Sequence, residues 1–415
     1  MSHFLQLLLL LSLIIVAAKL AGGLAGRLGQ PSVFGEILAG LLLGPTLLNV
    51  LGWPIFGSDL LGIVRDLADV GVLLLMFVAG LETDLVEMRR VGKVAFWAAF
   101  GGVILPMIGG ALVAVAFGFP LYWEGIFIGT ILTATSVSIS AQTLIELGAL
   151  KSREGSTILG AAVIDDVMGI IVLSLVVAFA KASAGGGVDV AGIGLVGLRI
   201  VVYFAAAFAA GRILNPLFRW TSRLGVSQAV LACALVVAFV YAWAAEYLGQ
   251  VAAITGAYVA GVLIAQSDFK KDVDAGVHPV TYSMFVPVFF ISIGLQANGR
   301  ALGPQAMFTV ILVLVAIVAK AIGCGVFARM FGFSNTESVR VGVGMISRGE
   351  VGLIVAGYGL ANGLIGQAVF SAADIVVLAT TMVTPPLLRM VFPARAGGHV
   401  LVEETIGHAP VEGQS

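Results

Sequence analysis

The chain has few charged residues and few cysteines, and both shortages exclude classes of protein. Of its 415 residues only 11% are charged, whereas 60% are hydrophobic, and the mean hydropathy is +1.09. A soluble domain carries roughly 25% charged residues, so this chain cannot cover a folded surface with polar groups. Cys233 and Cys324 both lie in apolar runs, which excludes a disulfide framework. A net charge of −1 offers no basic footprint for nucleic acid, and a polytopic helical membrane protein remains.

Residues that carry enzyme chemistry are also scarce. The four histidines are scattered over loops and chain ends, at His3, His278, His399 and His408. They support neither a bound metal nor a histidine proton relay. The sequence has no phosphate-binding GxxxxGK[ST] loop, which disfavours ATP drive within this chain. No nucleophile–base arrangement is readable, so we expect neither enzymatic activity nor a cofactor.

Apolar segments about as long as a bilayer is thick recur along the chain. A hydrocarbon layer ~30 Å thick requires about 20 apolar residues at the helical rise of ~1.5 Å. By this rule about thirteen segments qualify: 4–20, 32–50, 62–81, 94–118, 124–148, 156–181, 192–218, 226–248, 250–266, 281–298, 305–331, 337–361 and 368–391. The first segment has no preceding lysine or arginine, and we interpret it as a retained helix rather than a signal peptide. The pattern predicts an all-α membrane protein with about thirteen transmembrane helices.

Lysine and arginine fall unevenly on the two sides that thirteen spans define. One set of alternate loops holds sixteen of them, and the other holds only Arg65, Lys181, Arg199 and Arg300. Basic loops are retained in the cytoplasm, so we expect the N-terminus outside and the C-terminus inside. Residues 396–415, which are rich in glycine and acidic side chains, are then a short, disordered cytoplasmic tail.

Two adjacent acids, Asp165 and Asp166, lie about halfway along the predicted span 156–181. Ionisable groups at bilayer depth are costly, and most of them mark an ion or proton pathway. Successive helical residues point ~100° apart, so the two carboxylates can straddle one cavity without sharing a face. A hard monovalent cation needs oxygen ligands and competes with protons for them. The pair therefore predicts an exchange site; the alternative, a helix-end pair solvated by headgroups, does not suit a midpoint position.

Lys320 is a second charge at bilayer depth, past the middle of span 305–331. Snorkelling to the headgroups would have to bridge more than a turn or two of helix, so we interpret Lys320 as buried. The aspartate pair is its expected partner, because only Glu350 is an acid of similar depth. A lysine in this position can both neutralise a negative charge and take part in proton transfer.

Two predicted spans contain runs that can interrupt a helix. Span 124–148 has a threonine- and serine-rich run from Thr130 to Ser140, and span 337–361 has a glycine-rich run from Gly342 to Gly352. Hydroxyls can simply bond to their own helix, and glycines can simply permit close packing. The matching positions of the two runs favour a different interpretation.

Each run lies in the middle span of a triplet, 94–181 or 305–391. Unwound segments at matching positions in two repeats predict a midplane transport site. The triplets open with the fourth and eleventh spans, an odd offset, so the repeats enter the membrane from opposite sides and are inverted. Half-helix ends at the breaks carry partial charges, and Arg348 and Glu350 are the residues that could compensate them.

Other acids are weaker signals. Glu82 ends a span and is expected at the membrane interface, whereas Glu36 and Asp69 are expected to face a vestibule. Asp374 lies near the start of the last span, where an acid suits a helix N-terminus.

Several motifs, in order along nearly the whole chain, resemble bacterial monovalent cation:proton antiporters of the second cation:proton antiporter family. Pro31–Gly40 followed by Leu43-Gly44-Pro45 is similar to the family's P-x-V-x-G-x-I-x-A-G…L-G-P signature. Gly80-Leu81-Glu82, the hydroxyl-rich run, the Asp-Asp pair and the Ser347–Glu350 break resemble it as well.

The resemblance implies a dimerisation scaffold and a six-helix core of two inverted repeats whose broken helices cross. The scaffold then comprises 1–93 and 226–298, the core repeats are 94–181 and 305–391, and 192–218 is a linking helix. A homodimer in contact with membrane lipid is implied as well.

The resemblance also implies roles for individual residues. Asp165 and Asp166 match the family's ion-binding pair, with Asp166 as the direct Na⁺ ligand. Lys320 matches the lysine that pairs with the first aspartate in electrogenic members. Nearby hydroxyls are candidate cation ligands: Thr135, Ser136 and Ser138.

We therefore expect a secondary-active, electrogenic Na⁺(Li⁺)/H⁺ antiporter of the bacterial inner membrane with elevator-like alternating access. Kef-type potassium-efflux proteins usually have a different pair in place of Asp-Asp, which disfavours glutathione-gated efflux here. Two alternatives stay open: a K⁺/H⁺ antiporter of the same fold, and a cation channel.

Overall fold

The computed structural model of the protein describes residues 2–57, 60–183, 190–296 and 306–392, and these are almost entirely helical. The helices are α1 (His3–Arg27), α2 (Ser32–Leu43), α3 (Leu60–Glu82), α4 (Leu85–Ala116), α5 (Ile126–Ile131), α6 (Val137–Glu146), α7 (Arg153–Ser183), α8 (Val190–Thr221), α9 (Ala229–Tyr247), α10 (Ala253–Ile264), α11 (Lys270–Val280), α12 (Val286–Gln296), α13 (Ala306–Met330), α14 (Asn335–Gly344), α15 (Glu350–Ala361) and α16 (Gln367–Val391). A 3₁₀ turn covers Val50–Gly52, and π turns cover Leu121–Gly125 and Thr281–Phe285. The all-α prediction is confirmed; the predicted tail, 396–415, lies outside the described residues.

Many of these helices have the length and composition of membrane spans. Among the described residues, eight are long and apolar enough to cross a bilayer: His3–Arg27, Leu85–Ala116, Arg153–Val177, Ala191–Thr221, Ala229–Tyr247, Lys270–Gln296, Ala306–Met330 and Gln367–Val391. Shorter apolar helices cover Ser32–Leu43, Ala253–Ile264 and Val351–Ala361. Each predicted apolar segment contains a helix or a pair of half-helices. The protein is thus a multi-pass membrane protein, and the number of about thirteen crossings stays a prediction.

The two predicted helix interruptions are confirmed. In one span α5 ends at Ile131 and α6 begins at Val137. In the other, α14 ends at Gly344 and α15 begins at Glu350.

Four predicted spans differ from the helices by more than one helical turn at an end, and the first of them, 4–20, lies in α1, which continues to Arg27. Span 94–118 belongs to a helix that begins at Leu85, because the Asp84 carboxylate caps it by accepting from the amides of Val86 and Glu87 at 2.9 and 3.2 Å. Span 281–298 continues a helix that begins at Lys270 and passes through the π turn. Both helices extend beyond their apolar segments. An apolar segment therefore predicts which part of a helix lies within the membrane, and it does not predict where the helix begins or ends. Span 32–50 is shortened to Leu43 because Gly44-Pro45 follows, and the residue before a proline avoids the helical conformation.

The helices pack as two groups. We call α4–α7 with α13–α16 the core group, in which α4 packs against α7 and α13, and α13 packs against α14. We call α1–α3 with α8–α12 the scaffold group, in which α10 packs against α3 and α9, and α2 packs against α1 and α12. Contacts between the groups are sparser; they join α6 to α2 and α3, α16 to α2, and α7 to α8.

Polar contacts at one end of the bundle follow the same division. Between the groups, the Glu146 carboxylate at the end of α6 accepts from the Ser32 amide and hydroxyl at 2.7 and 2.6 Å. Within the core group, Arg153 and Glu337 form an ion pair of 3.1 Å that joins α7 to α14.

Close approach of α4 and α13 brings Lys320 into the core group. A Cβ atom on Gly101 or on Gly323 would overlap with the backbone carbonyl of the other glycine. Further along the same pair of helices, Trp97 stacks on Phe331 with 4.7 Å between ring centroids. Only glycines permit this backbone separation, which places α13 directly against α4 beside the candidate site.

Candidate ion-binding site at the crossing of two broken helices

Lys320 and Asp165 form a fully buried ion pair. The Lys320 ammonium lies 2.9 Å from the Asp165 carboxylate, and their side chains are 0% and 1% exposed. Lys320 also donates to the Thr133 carbonyl at 2.6 Å, in the interrupted part of the helix between α5 and α6. Burying two charges is costly unless they are paired and hydrogen-bonded, and here both conditions are met. The expected partnership of Lys320 with the aspartate pair is present in the structure.

Space for the lysine depends on Gly102 of α4. A Cβ at this position would lie 2.5 Å from the Cys324 sulfur and 3.4 Å from the Lys320 ammonium. An alanine here would force Cys324, which packs beside the lysine, to shift. Gly102 is a site residue that sequence reasoning missed, because glycine is frequent throughout this chain.

Asp166 faces a different part of the protein. Its carboxylate accepts a hydrogen bond of 2.6 Å from the Thr255 hydroxyl on α10. Asp166 and Thr255 are both buried. The two adjacent acids thus diverge as their helical spacing requires, one toward α13 and one toward α10.

The two helix interruptions cross and bond to each other. The Ser136 amide donates to the Ser347 carbonyl at 2.8 Å, and the Ser347 hydroxyl donates to the Ser136 carbonyl at 2.6 Å. Ser140 on α6 reaches the Gly344 carbonyl at the end of α14, also at 2.6 Å. Interrupted backbone at membrane depth must be satisfied from within the protein, and each interruption satisfies part of the other.

The Arg348 guanidinium occupies the centre of this crossing and is fully buried. It donates to the carbonyls of Leu132 (2.8 Å), Ile346 (2.9 Å) and Ala316 (3.0 Å). Leu132 caps the end of α5, and Ile346 follows the end of α14, so a positive charge meets two helix C-termini. Arg348 thus lies where the sequence analysis expected it, and its role in charge compensation stays a prediction. Glu350 begins α15, but its side chain lies outside the described part of the chain.

The three candidate hydroxyl ligands are all buried in or beside the first interruption. Ser136 and Ser138 bond to each other, with 3.1 Å between their oxygens. The Thr135 hydroxyl is buried and has no hydrogen-bond partner among the residues that the structure describes. A buried polar atom without a partner indicates a bound water or ion, and Thr135 is therefore the hydroxyl that best suits a cation.

The acids that gave weaker signals lie on other helices than the aspartate pair. Asp69 of α3 and Asp374 of α16 line a cavity of about 140 Å³ that extends to Gly349, at the second interruption. This cavity lies between the scaffold and core groups, as expected of Asp69 at a vestibule. Glu36 is buried inside the scaffold group rather than exposed to a vestibule.

Thr255 is the second site residue that sequence reasoning missed. It is a single threonine in an apolar helix, and such residues usually bond to their own backbone. Only the packing of α10 against α7 reveals its contact with Asp166.

A multi-pass helical bundle with crossed half-helices and a buried carboxylate–ammonium pair defines the class of secondary transporters. The comparison with known families agrees, because the family of transmembrane sodium/hydrogen exchangers matches residues 12–392. The chain belongs to this family, which confirms the predicted resemblance to cation:proton antiporters.

Named relatives cover nearly the whole chain. It is 45% identical to the Na⁺/H⁺-K⁺ antiporter GerN of Bacillus cereus, over 93% of this chain and 96% of the relative. It is 36% identical to an Na⁺/H⁺ antiporter of Enterococcus hirae, over 92% of this chain and 96% of the relative. Among solved structures it is similar to the sodium proton antiporter MjNhaP1 of Methanocaldococcus jannaschii, with a TM-score of 0.64, 17% identity and coverage of 94% and 96%. The structural likeness confirms the fold.

Proposed function

We propose that the protein is an electrogenic Na⁺(Li⁺)/H⁺ antiporter in which protons and cations compete for Asp165 and Asp166. The observation that carries the proposal is the buried Asp165–Lys320 ion pair, which adjoins a second buried acid and the crossing of two broken helices. Ionisable groups kept at membrane depth typically mark an ion or proton pathway, which supports this proposal.

Na⁺ is the cargo, and the donor set suits it. Hard cations take oxygen ligands, and Asp166 supplies a carboxylate. Thr135 supplies a buried hydroxyl without a partner in the described part of the chain, and Ser136 and Ser138 follow it within three residues. Arg348 neutralises the nearby helix C-termini while its charge stays fixed by three carbonyls.

Proton coupling follows from the ion pair. When Na⁺ binds at Asp166 with help from Asp165, the Asp165 carboxylate no longer balances the Lys320 charge. A buried ammonium without a counter-charge is unfavourable, so Lys320 releases its proton. If Asp166 has also released a proton before Na⁺ enters, two protons leave for one Na⁺, and each cycle moves one net charge.

Alternating access then requires the loaded site to move. Cation or proton occupancy neutralises the site and lowers the cost of carrying it through a region of low dielectric. The sparser contacts between the core and scaffold groups favour an elevator-like shift of one group against the other. The expected setting is the bacterial inner membrane, with the N-terminus outside, the C-terminus in the cytoplasm, and two copies in a homodimer surrounded by lipid.

K⁺/H⁺ exchange by the same site is a second candidate. The printed name of the relative GerN includes K⁺ as well as Na⁺, over almost the full length of the chain. Selection between the two ions depends on the size of the oxygen-lined cavity, and it is settled by measurement.

The test is transport by the purified protein in liposomes that contain a pH-sensitive dye, with Na⁺, Li⁺ or K⁺ added across a range of pH. We expect dequenching by Na⁺ and Li⁺, and an apparent KM for Na⁺ that rises as the pH falls, because protons compete for the same carboxylates. Asp166→Asn should abolish the signal. Full Na⁺ transport driven by a pH gradient in that variant contradicts the assignment, and a cation current that ignores the gradient indicates a channel.

Lys320→Gln tests the second proton. It should keep Na⁺/H⁺ exchange but lose net charge movement, measured as the effect of an imposed membrane potential on the rate. Unchanged electrogenicity removes Lys320 from the role of proton carrier.

A further inference from the structure

A hydrogen bond between Thr255 and Asp166 joins the candidate ion site to the scaffold group. Thr255 lies on α10, which packs chiefly against α3 and α9, while Asp166 lies on α7, which packs chiefly against α4. Their 2.6 Å hydrogen bond is buried. The carboxylate that we assign to the cation is therefore tied to the group that does not move with it.

The strength of this bond depends on the charge of Asp166. A hydroxyl that donates to an ionised carboxylate makes a charge-assisted hydrogen bond, which is roughly twice as strong as one between neutral groups. A proton or a cation on the carboxylate withdraws that charge. The bond is consequently strongest when the site is empty and ionised, and weaker when it carries either substrate.

We propose that Thr255 is a positioning residue that holds the empty, ionised site against the scaffold group. The inference rests on the proposed function and goes beyond it, because it explains why an empty core does not return. An antiporter must move only when loaded; an empty core that crosses freely lets Na⁺ run down its gradient without protons. The Thr255 hydroxyl slows that empty step and releases the core when Asp166 is neutralised.

A matched pair of buried threonines makes the proposal testable. Thr221 at the end of α8 is also buried in the scaffold group, and its hydroxyl donates to the Phe218 carbonyl of the same helix at 3.0 Å. Thr221→Val therefore removes the same chemical group from a buried place in the scaffold group without touching the bond between Thr255 and Asp166.

The experiment measures Na⁺ and H⁺ fluxes together in liposomes that contain the full chain, at equal pH on both sides and with the membrane potential clamped. Thr255→Val should increase Na⁺ flux without proton counterflow by roughly 10- to 100-fold, the range that corresponds to one lost hydrogen bond to a charged group. Thr255→Ser should restore wild-type coupling, because it keeps the donor. Thr221→Val should leave coupling unchanged.

Each other outcome overturns the proposal. Wild-type coupling in Thr255→Val shows that the bond does not restrain the core. Equal leakage in Thr255→Ser assigns the effect to packing of the methyl group. A raised KM for Na⁺ with intact coupling makes Thr255 a cation ligand instead. Thr255→Ala is a second variant that lacks the hydroxyl donor. If neither Thr255→Val nor Thr255→Ala folds while Thr255→Ser does, the hydroxyl is needed for stability and not for restraint of the core. The Asp166→Asn variant is measured separately. Transport by that variant would refute the proposed function itself, whatever the result for Thr255.

Discussion

At the scale of single residues, the ion pair between Lys320 and Asp165 is held where neither charge is tolerated alone. Both side chains are buried, and 2.9 Å separates the Lys320 ammonium from the Asp165 carboxylate. The ammonium also donates to the Thr133 carbonyl. A buried pair adds little to stability in comparison with apolar residues of the same size, whereas half of a pair is strongly destabilising. Retention of the pair therefore indicates a functional requirement.

Lys320→Met should lower the free energy of unfolding by about 3–5 kcal/mol, because it leaves Asp165 buried without a counter-charge. The double variant Asp165→Asn/Lys320→Met should recover most of this loss. Thermal unfolding in detergent, followed by intrinsic fluorescence, measures both. Additive losses in the double variant would show that the two side chains do not act as a pair.

An exposed ion pair provides the control. Arg219 and Asp268 lie 2.8 Å apart with side chains 64% and 63% exposed. Water screens such a pair, so Arg219→Met should cost no more than about 1 kcal/mol.

At the scale of elements, the contact of α4 with α13 is the feature most sensitive to side-chain size. Gly101→Ala places a methyl group against the Gly323 carbonyl. It should cost about 1–3 kcal/mol, because backbone cannot move aside as a flexible side chain can. Transport should fall with it, since the same contact brings Lys320 to Asp165. Melting temperature and exchange rate are the measurements.

Gly92 is the matched glycine on the same helix. A Cβ there meets no atom within 4 Å. Gly92→Ala should leave transport unchanged and stabilise the helix by up to about 1 kcal/mol. Equal damage from both substitutions would mean that α4 needs its glycines for another reason than close packing.

The elements also show what a sequence can predict. The two interruptions were predictable because Thr130–Ser140 and Gly342–Gly352 depart from uninterrupted apolar helix at matching places in two triplets of spans. The start of α4 at Leu85 was not predictable from hydrophobicity, because its polar first turn, capped by Asp84, extends beyond the apolar segment. Hydrophobic length records the thickness of the membrane, whereas capping decides where a helix begins.

The same limit applies to the site. Asp165 and Lys320 could be paired from sequence, because few charges are so deep and each requires a partner. The partner of Asp166 could not be predicted from sequence. Nothing in the residues around Thr255 distinguishes Thr255 from a threonine whose hydroxyl bonds to its own helix. Contacts between distant helices depend on packing, which the pattern of a single helix does not contain.

At the scale of the whole molecule, movement of the core group against the scaffold group predicts that a tether between them stops transport. Ser32 and Glu146 are in direct contact across the boundary, at 2.6 Å. In a background without Cys233 and Cys324, Ser32→Cys/Glu146→Cys treated with a short thiol cross-linker should lose most exchange, and reduction should restore it.

A tether inside the core group is the control. Arg153 and Glu337 are 3.1 Å apart, and both belong to the core group. Cross-linked Arg153→Cys/Glu337→Cys should keep its exchange activity. Two outcomes would contradict relative movement of the two groups: loss of exchange in cross-linked Arg153→Cys/Glu337→Cys, or full exchange in cross-linked Ser32→Cys/Glu146→Cys.

Arg348 has a consequence for the electrical behaviour of the molecule. Its guanidinium is bound to carbonyls of Leu132, Ile346 and Ala316, all within the core group, so in the proposed elevator-like movement this charge travels with the core in both directions. One charge that crosses the full field gains or loses about 2.3 kcal/mol per 100 mV. The outward and return strokes cancel over a complete turnover, yet each stroke alone produces a brief displacement current. A voltage step applied without substrate gradients should reveal this transient even where steady current is zero.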